Sequence, residues 1–473
     1  MTLAYILVFI AVAAILGLGL REHGRLPILL GTSVLAVYVL QPSLPVRGLD
    51  FWLPTATLGL AVLGWILTSP HEQRAWHTNW PTVAIMCGIV LGLGLTRFLS
   101  FSLPLTASRP PQTLQVILSL AAIALMAFLF GRFSKTNNLI LSALFVVIIF
   151  LFVVLKVPIL TEWVSKFMRS WNGQSVATAS PLDIRWLGFS YIAFRLLHTV
   201  RDRQTGRLPP VNLAEYIVYI LFFPALTAGP IDRIERFVGD LRRPLALTAA
   251  DVGEAGKRLM LGLFKKFVIA DSLALVALNA NNAIQVRTSA WAWVLLYAYA
   301  FQILFDFSGY TDIAIGMGAL LGIKLPENFK APYLKSNLTQ FWNSWHMTLT
   351  QWFRTYFFYP LTRALRSGKR PLSIPLIILI TQIWTMVLIG LWHGVTWNFI
   401  LWGLWHGLGL FIHNRWSEWT KARFALLPQG WRNSLNVGGV LLTFHYVALG
   451  WVFFALPSPA ISSRFLQMLF SFS

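Results

Sequence analysis

Three histidines sit in one of the most apolar, tryptophan-rich parts of the chain: His346 in FWNSWHMTLTQWFRTYFFYPL, then His393 and His406 in LIGLWHGVTWNFILWGLWHG. A histidine titrates near neutrality, with an unperturbed pKa of about 6.5, so a neutral imidazole in apolar surroundings can accept a proton from a hydroxyl. An ionisable side chain at membrane depth is costly and marks a functional site by default. His346 and His393 are therefore the candidate catalytic pair. His406 repeats the tripeptide Trp392-His393-Gly394 as Trp405-His406-Gly407.

Other chemistries lack a signature. The three histidines form no HExxH or short H-x-H pattern and no carboxylate adjoins them, so no metal is expected there. There is no GxSxG elbow for a serine acyl-enzyme and no Walker loop for ATP. The single cysteine, Cys87, lies in VAIMCGIVLGLGL, which rules out a disulfide within the chain.

The elements that position the histidines follow from periodicity. Read as one helix capped by Asn337 with Gln340, the segment from Leu338 puts Phe341, Trp342, Trp345, Leu349, Trp352 and Phe353 on one face. Thr339, Asn343, His346, Thr350 and Arg354 form a polar stripe beside it. After the basic loop Arg363–Arg370, Pro371–Ile389 is long enough to cross a membrane and delivers Gly390, Trp392, His393 and Gly394 deep into it or beyond it. The flanking glycines give room for a bend or for close approach of a substrate.

Composition sets the class. Of 473 residues 56% are hydrophobic and 12% charged, more apolar surface than one soluble core can hide. The net charge of +21 collects in short loops, including Arg233–Arg243, as the positive-inside rule requires. Anionic membrane lipids are the partner this implies, and nucleic acid is not.

Six apolar runs open the chain: Leu3–Leu20, Leu26–Leu40, Phe51–Leu67, Val83–Leu95, Leu114–Phe130 and Leu139–Leu155. The first reads as a retained helix whose basic end, Arg21 and Arg25, stays in the cytoplasm. The second and fourth are short enough to be tilted, interfacial or re-entrant. Gly92 and Gly94 permit close helix approach. Residues 1–160 thus read as scaffold and 161–473 as the working part.

Trp163–Pro181 is polar and reads as a surface loop. Beyond it, apolar segments carry Arg185, Arg195, Glu215, Lys265, Lys266, Asp306 and Asp312, placements that suit a cavity or a partner. Gly229–Pro230, Gly309 and Pro326–Glu327 interrupt helical patterns. A final run near Val437–Leu456 precedes an amphipathic tail, Ser462–Phe472. The fold expected is all-α and polytopic, with about eleven transmembrane helices plus re-entrant or oblique ones.

Several segments in order resemble the membrane-bound O-acyltransferase family: LFFPALTAGPIDRIERF, GLFKKFVIADSLA, DFSGYTDIAIGMGALLGIKLPENFKAPYLKSN, FWNSWH and GLWHGVTWNFILWGLWHG. The similarity runs from about Ile184 to Trp451. It lies in the bacterial branch that includes the alginate O-acetyltransferase membrane subunit and the teichoic acid D-alanyltransferase.

The resemblance implies that His393 is catalytic and that His346 is the second active-site position, orienting the thioester or stabilising the oxyanion. Asn398, Asp306, Asn343, Trp392 and His406 are weaker lining or orienting candidates. It also implies helices around a thinned centre, where a tunnel lets a cytoplasmic thioester meet an acceptor from outside. No cofactor is held permanently; the acyl donor is acetyl-CoA or an acyl-carrier phosphopantetheine. The implied acceptor is a hydroxyl of an exported polysaccharide or wall polymer, with D-alanyl transfer to teichoic acid as the alternative. Transport of an acyl group or lipid-linked glycan is the alternative outside acyl transfer. Implied partners are a cytoplasmic donor or carrier protein and an extracytoplasmic acyltransferase or delivery protein, at the bacterial cytoplasmic membrane.

Asn343 and Ser344 stand where two arginines are usual in this branch, and Thr355 where an aspartate is. Both departures remove charge from the cytoplasmic side of the site.

Overall fold

The computed structural model describes residues 2–19, 24–100, 103–133, 138–368 and 372–471. Leu20, Arg21, Arg370, Pro371 and Phe472, named above, lie outside the described residues. Secondary structure among the described residues is helical, without strands. Among the described residues, seven helices are long and apolar enough to cross a membrane: Leu49–Thr68, Trp76–Phe98, Thr113–Gly131, Asn138–Lys156, Ser289–Leu320, Ile374–His393 and Gln429–Ala455. Leu3–Gly19, Arg25–Leu40 and Leu213–Ala225 are apolar but shorter. The fourth run is thus a full-length span, whereas the second stays short.

The chain divides into two compact units. The first comprises residues 1–257 and 314–325. Its helices Thr113–Gly131 and Asn138–Lys156 bury only 6% and 17% of their most apolar windows within the protein, so lipid is the solvent for the rest. Of the two glycines in LGLGL, a Cβ on Gly94 would make ordinary contact with Val116 at 3.4 Å, while one on Gly92 would meet open space, so neither is needed for close approach.

Two buried arginines of this unit serve its backbone. Arg195 donates to the carbonyls of Ile220 (2.8 Å) and Ala225 (2.6 Å), where the Leu213–Leu221 helix breaks. Arg25 donates to the carbonyls of Leu241 (3.2 Å) and Arg243 (3.0 Å), and also to Leu321. Carbonyls at helix ends lack an intrahelical partner, and these side chains supply one. Glu215 closes a capping box with Asn212 and pairs with Arg242 at 2.7 Å.

Trp163–Pro181 is not a loop throughout. A helix runs Pro158–Trp171. Its inward face is polar: Thr161, Ser165 and Arg169 are buried, and Asp183 accepts from Ser165 (2.6 Å) and Arg169 (2.7 Å).

The second unit comprises residues 258–313 and 326–473. Gly309 does not interrupt a helix; it lies inside Ser289–Leu320. A Cβ there would come within 2.8 Å of the Gly262 carbonyl oxygen and the Lys266 amide, so glycine is what lets this helix touch the π-helical turn Phe264–Ala270. At that contact Asp312 accepts Lys265 (2.6 Å) and Arg258 (2.7 Å), and Lys266 pairs with Asp306.

Helices Ile374–His393 and Trp397–Ala425 form a tight hairpin. A Cβ on Gly403 would lie 2.5 Å from the Val387 Cα, and one on Gly407 would lie 2.8 Å from the Ile383 Cα. Small residues four apart let two backbones pack this closely.

Candidate active site

The single helix expected from Leu338 to Phe353 is two helices, Leu338–Trp342 and Met347–Phe353. Asn337 caps the first, accepting the Gln340 amide at 2.9 Å. His346 stands at the start of the second with φ 42° and ψ 53°. A left-handed backbone is unfavourable for a residue with a Cβ, at a cost of order 1–2 kcal/mol, so something must hold it.

Asn328, in the extended segment before Lys330, is the clamp. Its carbonyl oxygen Oδ1 accepts the Thr348 amide (3.1 Å), the Thr348 hydroxyl (2.9 Å) and His346 Nδ1 (3.2 Å). The backbone amide of Met347 donates to the Asn328 main-chain oxygen at 3.0 Å, and Lys330 donates to Ser344 at 3.0 Å. The polar residue that caps the second helix therefore comes from 18 residues earlier in the chain.

This clamp fixes the chemistry of His346. An amide oxygen only accepts, so Nδ1 carries the proton toward Asn328. In the neutral ring Nε2 is then a bare lone pair, and it is buried without a hydrogen-bond partner. His346 is 3% exposed; the rings of Phe307 (4.6 Å) and Trp392 (6.1 Å) flank it edge-on. A bare Nε2 can accept a hydrogen bond or a proton. Donating to an oxyanion requires the protonated ring, so of the two roles expected for His346 the geometry suits orientation.

His393 ends the Ile374–His393 helix and is half-buried. Its ring lies 4.5 Å from Trp392, 4.7 Å from Phe454 and 5.9 Å from both Phe399 and Trp402. Trp392 is thus the side chain that His346 and His393 share. Gly390 and Gly394 face Phe399, across the hairpin, so their smallness serves packing.

The other candidates are scattered. His406 is fully buried among Trp342 (5.1 Å) and Trp402 (5.0 Å), and neither ring nitrogen has a hydrogen-bond partner. Trp402 touches both His393 and His406. Asn398 is buried but donates to the Leu456 carbonyl (2.6 Å) and the Ser462 hydroxyl (2.9 Å), which ties the hairpin to the C-terminal segment. Asn343 is exposed and accepts from Arg354. Asp306 is paired with Lys266, and its neighbour Phe307 is the residue that reaches His346.

A cavity of about 1170 Å³ in the first unit is lined by Trp52, Arg97, Arg109 and Trp171, and one of about 600 Å³ in the second by Leu401, Phe453 and Pro459. Neither is lined by His346 or His393. Asn328 is the functional candidate that periodicity missed; its signal was a polar dipeptide, Glu327-Asn328, between apolar stretches.

Residues 122–457 match the model of the membrane-bound O-acyltransferase family. The chain is 36% identical to a probable alginate O-acetylase, AlgI, of Pseudomonas syringae over 287 residues, 60% of this chain and 52% of that protein. It is 31% identical to the teichoic acid D-alanyltransferase of Streptococcus thermophilus, over 58% of this chain and 68% of the relative. A peptidoglycan O-acetyltransferase of Helicobacter pylori is 29% identical over 456 residues, 89% of this chain and 78% of that protein. The chain spans about half the length of the alginate O-acetylase it matches. With the family model covering most of its length and the ordered motifs folded as multi-pass helices, this chain belongs to the membrane-bound O-acyltransferase family.

Proposed function

We propose that this chain is an O-acyltransferase of the bacterial cytoplasmic membrane. It moves an acetyl group from a cytoplasmic thioester, on coenzyme A or an acyl-carrier phosphopantetheine, to a hydroxyl of an exported polysaccharide or wall polymer, or of a partner that delivers it. The observation that carries this reading is the pairing of a locked, bare-Nε2 His346 with a half-buried His393 across Trp392.

His393 takes the proton of the acceptor hydroxyl as the new C–O bond forms at the thioester carbonyl. The C–S bond then breaks, and the same proton passes to the departing thiolate. No acyl-enzyme forms. His346 accepts a hydrogen bond from an N–H of the donor arm and so orients the thioester. General-base help contributes about 10²–10⁴-fold, and orientation a comparable amount or more. Acetyl is favoured because relatives named for O-acetylation include one aligned over 89% of the chain. D-alanyl transfer is the second reading, favoured by the teichoic acid D-alanyltransferase match. A donor or carrier protein inside and an acyltransferase or delivery partner outside complete the pathway.

Base-released acids from envelope and secreted polymers, measured by mass spectrometry in cells with and without this chain, test the reading. Acetate lost with the chain supports it, and D-alanine lost instead selects the second. No change in either rejects acyl transfer and points to transport.

A further inference from the structure

In the first unit His198, Asp202 and Glu235 converge: one ring nitrogen and two carboxylate oxygens, all within 4.8 Å of one another. His198 and Asp202 sit one turn apart on the Phe189–Gln204 helix, and Glu235 is in the first turn of Ile234–Arg242. His198 Nε2 lies 2.9 Å from Asp202 Oδ2 and 3.9 Å from Glu235 Oε2. His198 and Asp202 are 1% and 3% exposed, while the Glu235 side chain is 43% exposed.

The second observation concerns the other ring nitrogen. The Tyr219 hydroxyl donates its one proton to the Asp232 carbonyl at 2.8 Å. Toward His198 Nδ1, 3.3 Å away, it can therefore only accept, and Nδ1 carries the ring proton. That leaves Nε2 of the neutral ring as a lone pair directed at two anionic oxygens, an arrangement that is repulsive unless a cation lies between them. A proton would satisfy the His198–Asp202 couple alone. The third ligand atom, from a different helix, is what a metal uses and a proton does not need. Glu235 turns its other oxygen to Arg233 at 3.8 Å, so Oε2 is left for the cluster.

We propose that His198, Asp202 and Glu235 bind a divalent first-row cation of the zinc class, distinct from the acyl-transfer site. An imidazole and two carboxylates at bond lengths of about 2.0–2.2 Å suit zinc, and the side open at Glu235 leaves a position for water. The Tyr219 contact is the outer-shell hydrogen bond that orients a metal-bound histidine. The two carboxylates with a neutral ring carry the charge that a divalent ion cancels. Bound there, the ion joins the start of Ile234–Arg242 to the Phe189–Gln204 helix.

The test uses the full-length chain in detergent, purified with a histidine-free tag, stripped with chelator and titrated with zinc alone. Bound zinc is read by elemental mass spectrometry and by competition with a chromophoric chelator, and thermal stability is read in parallel. A stoichiometric zinc that raises the melting temperature is expected. Glu235→Gln, a change at a partly exposed side chain, should weaken binding about tenfold or more, and His198→Gln should abolish it. If His198→Gln does not fold, Glu235→Gln decides. No zinc on the wild type, or equal zinc on the wild type and Glu235→Gln, overturns the proposal and leaves a protonated His198–Asp202 ion pair. Neither result bears on acyl transfer.

Discussion

Trp392-His393-Gly394 and Trp405-His406-Gly407 are the same tripeptide in two settings. The first closes a helix: Gly394 is extended, and His393 is half-buried beside Trp392. The second lies inside the Trp397–Ala425 helix: His406 is fully enclosed, and Gly407 packs on the backbone of Ile383. A half-buried ring at a helix end is open to a substrate, whereas the His406 ring is enclosed by Trp342, Trp402 and Gly450. The same motif thus gives two different environments, and the proposed site is the one at the helix end.

Predictions that break or sharpen this contrast can be ranked by size. His393→Ala should lower acyl transfer by about 10²–10⁴-fold at unchanged membrane levels. Asn328→Ala should follow. It removes the acceptor that the Thr348 amide and hydroxyl and His346 Nδ1 share, and so loosens the His346 ring. Activity should fall by about 10–100-fold, as for other groups that orient an imidazole. Matched-expression turnover assays separate the two variants.

The glycines give a smaller effect. Gly407→Ala drives a methyl to 2.8 Å from the Ile383 Cα, where backbone must move, and should cost about 1–3 kcal/mol in detergent unfolding. Gly394→Ala meets only the Phe399 ring, also at 2.8 Å, which can swing away, so it should cost less. Smallest is His406→Leu, a swap of similar volume at a ring with no hydrogen-bond partner. It should change stability by under about 1.5 kcal/mol and leave transfer intact.

Much of this architecture was legible from hydropathy. Within the described residues all six N-terminal apolar runs are helices, because a mostly apolar stretch in lipid must satisfy its backbone internally. Pro158–Trp171 was not legible, because its buried face is polar and is satisfied by Asp183, so hydropathy registers a loop. Gly309 looked like a break, but its role is close contact with Gly262 inside a continuous helix. At the candidate site, residue types singled out His346 and His393, and the structure places both against Trp392. Periodicity placed His346 on a straight helix because the force that bends it, the Asn328 side chain, acts from another segment. His198 passed unnoticed for the same reason: its second carboxylate comes from a different helix.

The most direct measurement is the ester content of envelope and secreted polymers, by NMR, from cells carrying wild type, His393→Ala or His406→Leu at equal membrane levels. The account predicts that the ester signal disappears with His393→Ala and persists with His406→Leu. A folded His393→Ala protein that keeps the signal, or two variants that behave alike, would contradict it.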